Sequence, residues 1–427
     1  MVVAAEGGAA GALLPWFRQP GVLARFVSDL VADELAQLRP GGLRLPERPW
    51  SPGLSLDEQG LGLDSLERMS IASALNEALH LHESGLEDLL LARRHFGQWL
   101  EVAEDGLAVF DATLTFRTSG SSGAAKACSH ALADLHQEVG HLADLLQGTQ
   151  RVLSAVPAHH IYGFLFTVLL PQRLGCPDVI DIRQMTAQSL LSTLRTGDVV
   201  VSHPAHWSLV ARHAQRVPTG VRGVTSTAPC PGPLAQTLVD LGLESLMQVY
   251  GSTETAGVGT RTAAGAPFGL MPFWSRQADG QADDVQGLVR TRMDGSTHTH
   301  VVQDQVEWLG DRLFHVTGRR DGAVQVGGTN VFPARVRQVL LEHPQVLDAA
   351  VRLMVPDEGS RLKAYVVPAP GSDPDALRSA LWAWTASRLT TPERPKAFTI
   401  GAKLPSNAMG KLADWPVDSA PNAATDW

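Results

Sequence analysis

Cysteine is scarce in this chain of 427 residues, with three copies at Cys128, Cys176 and Cys230. They are far apart, odd in number and never spaced as CxxC, so neither a disulfide framework nor a cysteine zinc site is indicated, and a reducing cytoplasm fits. Positive charge is not in excess either: 35 Lys and Arg stand against 44 Asp and Glu, a net charge of −9. No overall basic field exists to attract nucleic acid or anionic lipid. Long apolar runs are missing, since the longest, near residues 163–170, falls far short of the roughly 20 residues that span a bilayer. The N-terminal MVVAAEGGAAGALLPWFRQP has no basic start and no sustained apolar stretch, so no export signal or anchor is expected. What is present is globular: 44% of residues are hydrophobic and 19% charged, too apolar for general disorder, and the length suits about two to four domains.

The chain divides by texture. Up to residue 103 it reads as helical. GVLARFVSDLVADELAQL places Val22, Phe26, Leu30, Val31 and Leu35 near one face, and a Pro- and Gly-rich loop follows. DSLERMSIASALNEALHL is also amphipathic, with Leu66, Met69, Ile71, Leu75 and Leu79 as its apolar positions and Asp64 or Ser65 placed to cap its start. GLEDLLLARRHFGQWLEV completes a four-helix unit. From residue 104, short β-rich runs (RVLSAVP, DVVVSH, VRGVTST, LMQVYGS) alternate with helical patterns, which predicts α/β layering with parallel strands. A smaller α+β unit follows from residue 321. The expected domains are therefore 1–103, 104–320 and 321–427.

The most informative stretch is TLTFRTSGSSGAAKACSH, where an apolar strand runs into Thr118, Ser119, Gly120, Ser121, Ser122, Gly123 and, after two alanines, Lys126. The glycines permit tight turns, hydroxyls and amides can surround phosphate oxygens, and the lysine adds positive charge. A triphosphate cradle is one reading and a flexible Ser/Gly linker the other. The stretch is not the GxxxxGK[ST] loop, because the glycines are too close together and Ala127 follows the lysine. VYGSTETAG then leaves a strand and presents Tyr250, Gly251, Ser252, Thr253 and Glu254 at a turn. An aromatic wall, a hydroxyl for phosphate and a carboxylate for Mg²⁺ make chemical sense together.

With these motifs in this order, residues 104–415 resemble the adenylate-forming superfamily: acyl- and aryl-CoA ligases, adenylation domains and luciferases. The resemblance implies an α/β adenylate-forming fold with a small, mobile C-terminal lobe. It also implies ATP and Mg²⁺ as cofactors, the metal on Glu254. PAHHIYGF matches the segment lining the acyl pocket, with His160 at the gate and Tyr162 and Gly163 following. His159 and His160 also read as a pair of loop histidines, and no third metal ligand is suggested near them. By the same resemblance, Thr227, Ala228 and Pro229 pack along the adenine, and Asp304 and Arg319 bind the ribose, Asp311 being nearer to the arginine but fitting the spacing less well. Asp321 is then the hinge and Lys411, in LPSNAMGKL, the catalytic lysine. Phe166 is expected to shorten the acyl pocket in favour of a benzoate, with His203 and Trp207 adding a polar contact and further wall.

Two departures qualify the likeness. The lobe ahead of the Ser/Gly loop is shorter than in most of the superfamily, and Gln325 stands where a basic residue is common. GLGLDSLERMS resembles an acyl-carrier-protein signature, so the first helices are expected to be carrier-like, with Ser65 as a phosphopantetheine site or as part of a simple helix cap. The whole is similar to the 4-hydroxybenzoate-activating ligases of xanthomonadin and aryl-polyene pathways. That implies an aromatic acid, best 4-hydroxybenzoate, loaded onto the phosphopantetheine thiol of an acyl carrier protein. The alternatives are CoA as acceptor, or a non-catalytic carrier or binding module.

Overall fold

The computed structural model describes residues 14–39, 44–119, 125–277, 287–302, 304–319, 322–327, 329–355, 358–405 and 412–417, with backbone alone for Thr118, Ser119 and Ala125. The chain opens with α1 (Val22–Leu38), α2 (Ser65–Leu79), α3 (Leu89–Ala92) and α4 (Phe96–Val109). All five apolar positions expected on α1 are buried. On α2 only Ile71, Leu75 and Leu79 are, while Leu66 is 77% and Met69 56% exposed. The stripe runs at i, i+4, i+8, and at 100° per residue Leu66 lies about 140° away from Ile71, on the solvent side. Asp64 caps α2, accepting from the amides of Leu66 and Glu67 at 2.8 Å each, and Glu67 closes the capping box.

An antiparallel hairpin follows, β1 (Thr113–Ser119) with β2 (Ala125–Ala131), then α5 (Leu132–Leu145). The alternating unit runs β3 (Arg151–Ser154), α6 (Ile161–Phe164), a π-helical turn over Leu165–Leu169, α7 (Leu170–Arg173), β4 (Val179–Asp181), α8 (Ala187–Thr193), β5 (Asp198–Ser202), α9 (Pro204–His213), β6 (Arg222–Thr225), α10 (Gly232–Asp240) and β7 (Ser245–Ser252). β8 (Ala256–Arg261) and β9 (Phe268–Leu270) turn back, and β10 (Trp274–Arg276), β11 (Gly287–Thr291) and β12 (Thr297–Val301) form a separate three-stranded sheet. β13 (Asp304–Trp308) and β14 (Leu313–Arg319) rejoin the main sheet, whose order is β13-β14-β9-β8-β7-β6-β5-β3-β4. Strands β4, β3, β5, β6 and β7 are parallel. Val199, Val200 and Val201 are fully buried because helices cover both faces of this part.

The C-terminal unit holds the hairpin β15 (Val324–Val326) and β16 (Thr329–Val331), then α11 (Pro333–Leu341), β17 (Val346–Leu353), β18 (Leu362–Pro368), α12 (Pro374–Ala386) and β19 (Ala397–Ile400). Its core is its own. The fully buried Lys363 ammonium donates to Glu358 at 2.7 Å, to Asp414 at 3.2 Å and to the Trp415 carbonyl at 2.6 Å, fixing the segment that follows residue 411. Among the described residues no helix is long and apolar enough to cross a membrane.

The N-terminal helices do not carry a separate core. One continuous cluster runs from Trp16 through α1–α4 to the sheet, with Trp16 against Phe164 at 5.1 Å and Phe26 against it at 5.9 Å. Asp29 of α1 accepts from the Ala158 amide at 2.7 Å, and Glu34 pairs with Arg117 at 3.0 Å. The boundary expected at residue 103 falls inside α4. These helices are packed as one face of the large lobe rather than as a free carrier domain, because their apolar stripes are closed by α/β side chains. Ser65 is exposed at the start of α2.

Candidate active site

Parallel register sets the location. Ser154 aligns with Val201, Ser202 with Thr225 and Thr225 with Gln248, so the segments after β3, β5, β6 and β7 emerge at one carboxyl edge of the sheet. Crevices at such edges are where open α/β sheets bind ligands. Residues 157–160, 202–206, 226–229 and 250–254 all lie there.

The turn between β7 and β8 is built to hold Thr253 and Glu254 at its apex. Gly251 is required, since a Cβ there would stand 2.1 Å from the Ala256 carbonyl oxygen. Below the apex the Ser252 amide donates to Thr255 Oγ1 at 3.1 Å and the Thr255 amide to Ser252 Oγ at 3.3 Å. From the hairpin, His130 Nε2 contacts the Thr253 carbonyl at 2.7 Å; a carbonyl only accepts, so this nitrogen carries the proton. Burial lowers the His130 pKa, consistent with a neutral ring. Lys126 Nζ donates to Glu254 Oε1 at 3.0 Å. Burial raises the Glu254 pKa, but the Lys126 hydrogen bond and charge outweigh it and the net shift is downward. Behind the turn, the fully buried Glu138 of α5 accepts from the Gly257 amide with both oxygens, at 3.0 and 3.1 Å. Burial pushes its pKa up to about 8, with Arg290 and the amide pulling it part of the way back.

Tyr250, on β7, donates to Asp304 Oδ2 at 2.7 Å. Asp304 and Arg319 are register partners across β13 and β14, with Arg319 Nη1 3.6 Å from Asp304 Oδ1. Asp311 is exposed in the connecting turn, at the opposite end of that hairpin from Arg319. Next to Asp304, the Tyr250 ring packs on Phe268 at 5.8 Å and Phe314 at 5.3 Å. Thr227 has φ 75°, unusual for a β-branched residue, and its hydroxyl is buried without a hydrogen-bond partner among the described residues. Ala228 and Pro229 follow it, and Ser226 Oγ ties this turn to the Val249 carbonyl at 2.9 Å.

On the neighbouring segment, Tyr162 donates to the Ser202 carbonyl at 3.0 Å and lies 5.1 Å from the fully enclosed Phe166 ring. Gly163 admits no side chain, because a Cβ would meet the Pro157 carbonyl oxygen at 1.8 Å. His160 stands at the N-cap position of α6 without a side-chain capping bond and keeps an exposed face, while burial of the rest and the neighbouring His159 lower its pKa to about 4. His203 caps α9, and His206, which the sequence did not single out, lies 2.7 Å from Ser202 Oγ through Nδ1.

Trp207 is a correction. It packs on the opposite face of the sheet, in the core formed with α8 and α10, and donates to the Val224 carbonyl at 3.2 Å. One residue on from His206 around α9, it points into the sheet and not to the carboxyl edge. Gln325 bonds Asn330 across the β15–β16 hairpin. Gly120, Ser121, Ser122, Gly123, Asp321 and Lys411 lie outside the described residues, as do the side chains of Thr118 and Ser119; Thr118 is the register partner of Lys126. His130 and Glu138 were missed because each is remote in sequence from the turn it supports and belongs to no local motif.

Family comparison gives the class to which this fold belongs. Residues 88–290 match the model of the AMP-binding enzyme family, and residues 336–411 that of the AMP-binding enzyme C-terminal domain. A 4-coumarate–CoA ligase of Halorhodospira halophila is 38% identical over 84% of this chain and 89% of its own. One of Cereibacter sphaeroides is 37% identical over 91% of this chain and 94% of its own. The amide bond synthetase of Marinactinospora thermotolerans shares the fold, with a TM-score of 0.59 at 19% identity over 92% of this chain and 93% of its own. The chain belongs to the AMP-binding enzyme family. Within it, the chain is an AMP-forming acid–thiol ligase, with the large α/β and small C-terminal lobes of that fold.

Proposed function

We propose that this ligase activates a 4-hydroxylated aromatic acid of the 4-coumarate type and transfers it to coenzyme A. The observation that carries the reading is the convergence, at one sheet edge, of the Thr253–Glu254 apex with its Lys126 partner and the Tyr250–Asp304–Arg319 set. Both curated relatives are named for 4-coumarate and CoA, which favours CoA over a carrier protein as acceptor and a phenylpropenoate over 4-hydroxybenzoate. The enclosed Phe166 ring, packed on Tyr162, gives no reason to stop the pocket at benzoate length.

In this reading the acid's carboxylate attacks the α-phosphorus of ATP, pyrophosphate leaves, and the thiol sulfur then attacks the acyl carbon and releases AMP. Alignment and neutralisation of crowded phosphate oxygens are the protein's main tasks. Asp304 and Arg319 hold the ribose, and Tyr250 with Ala228 and Pro229 flanks the adenine, where the unpartnered Thr227 hydroxyl is suited to accept a donor. Residues 118–123, Lys126, Gly251, Ser252 and Thr253 line the phosphates. The oxygen donor of Glu254 suits Mg²⁺, which supplies charge neutralisation on the phosphates when bound. His160, Tyr162, Gly163, His203 and Thr227 line the acid. Lys411 reaches the reacting carboxylate for adenylation, and rotation of the C-terminal lobe about Asp321 then admits the thiol.

The test is pyrophosphate release with Mg-ATP and 4-coumarate, 4-hydroxybenzoate or a fatty acid, in the presence of CoA or a holo acyl carrier protein. Turnover with 4-coumarate and CoA is expected. Thioester formed only on the carrier, with 4-hydroxybenzoate preferred, would replace this reading by the aryl carrier-protein ligase and direct attention to phosphopantetheine on partner carriers and on the exposed Ser65.

A further inference from the structure

Helix α1 carries Asp29, Asp33 and Gln37 at four-residue spacing, one stripe along its surface. Asp29 grips the loop between β3 and α6 through the Ala158 amide at 2.7 Å. One turn further along, Asp33 Oδ2 stands 3.6 Å from His159 Nε2, and the His160 ring lies 4.1 Å from the His159 ring. One donor atom from each of the three residues lies within 4.8 Å of the other two. The carboxylate is oriented from its own helix, since Gln37 Nε2 donates to Asp33 Oδ2 at 2.9 Å.

The His159 side chain is only 9% exposed, and neither ring nitrogen has a hydrogen-bond partner among the described residues. A buried imidazole left this way needs a reason. The contact with Asp33, at 3.6 Å, lies within ion-pair range but is too long for a hydrogen bond. It is near the roughly 3.3 Å that separates two ligands around a tetrahedral zinc with bonds of about 2.0–2.1 Å. Two imidazoles and one carboxylate suit a zinc-class ion, whereas Mg²⁺ takes oxygen donors.

We propose that Asp33, His159 and His160 form a binding site for a zinc-class divalent ion that ties α1 to the wall of the acid pocket. Three ligands come from the protein, and the fourth position opens on the exposed side of His160. The site is separate from the carboxylate of Glu254. A bound ion holds the His160 ring on α1, so zinc inhibits the ligase; this consequence, unlike the binding itself, rests on the reading of His160 as a pocket residue.

The experiment uses the full, untagged chain stripped of metal, with Co²⁺ titrated in and then displaced by Zn²⁺. One equivalent of cobalt is expected to give the visible bands of a four-coordinate nitrogen and oxygen site, which zinc bleaches. Asp33→Asn weakens this binding by more than about tenfold, and His159→Gln removes the bands. The pair His298 and His300, 3.1 Å apart, has no third ligand grouped with it among the described residues, and His298→Ala leaves the bands in place. Absence of the bands in the wild-type chain, or their persistence in both the Asp33 and His159 variants, overturns the proposal. In the activity arm, micromolar zinc in excess Mg-ATP inhibits the wild type, and Asp33→Asn is at least tenfold less sensitive. Cobalt binding as described with no inhibition by zinc supports the site and counts against the pocket role of His160.

Discussion

Replacing His130 by Phe separates positioning from chemistry at the apex of the β7–β8 turn. The ring sits edge-on to Phe116 at 6.0 Å and is buried, so Phe keeps most of the packing and loses only the donor. The Thr253 carbonyl, now 2.7 Å from Nε2, is left without that partner. An unsatisfied buried acceptor costs about 1–3 kcal/mol, which the turn can recover only by moving towards water. A shift on the order of 1 Å in groups that align a reaction can cost about 100-fold. The expected result is a fall of roughly 10- to 100-fold in kcat/KM for adenylation, measured as pyrophosphate release at limiting ATP. His130→Gln, which retains an N–H donor, should recover part of it. Activity of His130→Phe within threefold of wild type, with ATP affinity unchanged, would refute the reasoning.

Three further outcomes are expected. Glu138 holds its proton up to about pH 8, well above an unfolded glutamate. Between those two pKa values the native state binds more protons, so its contribution to stability is complete below the unfolded pKa and lost as pH rises through about 8. Melting curves of wild type and Glu138→Gln across that range should therefore converge or cross, the wild type losing ground as pH rises; parallel curves would contradict the assignment. Tyr250→Phe removes the 2.7 Å hydrogen bond to Asp304 while keeping the Phe268 and Phe314 contacts, and should raise the KM for ATP by about tenfold with a smaller change in kcat. Lys411→Ala should slow adenylation roughly 100- to 1000-fold while thioester formation from preformed acyl-adenylate changes little; equal losses in both steps would place the lysine elsewhere in the cycle.

Strand and helix order was legible because short continuous apolar runs, the mark of strands buried on both faces, alternate with amphipathic helical stretches. RVLSAVP, DVVVSH, VRGVTST and LMQVYGS became β3, β5, β6 and β7, and the α1 stripe faces the core as its spacing requires. Asp304 and Arg319 were singled out through the family resemblance, and the register of β13 with β14 pairs them while setting the nearer Asp311 at the far end of the hairpin. Long-range packing was not legible. The helices ahead of residue 104 look self-contained in sequence, yet they share the core of the sheet through Trp16, Phe26 and Phe164, contacts that no local pattern encodes. Trp207 was placed in the pocket because it lies close to His203 in sequence, but it stands one position, about 100°, further around α9 than His206 and packs into the core on the other face of the sheet. Asp33, His130 and Glu138 share the same difficulty, since each meets its partner across more than a hundred residues.

The central claim is tested most directly by the mass balance of one reaction mixture containing the chain, Mg-ATP, 4-coumarate and CoA. The account predicts AMP, pyrophosphate and the CoA thioester in equal amounts. ADP with inorganic phosphate, or AMP released with no thioester on CoA, would contradict it.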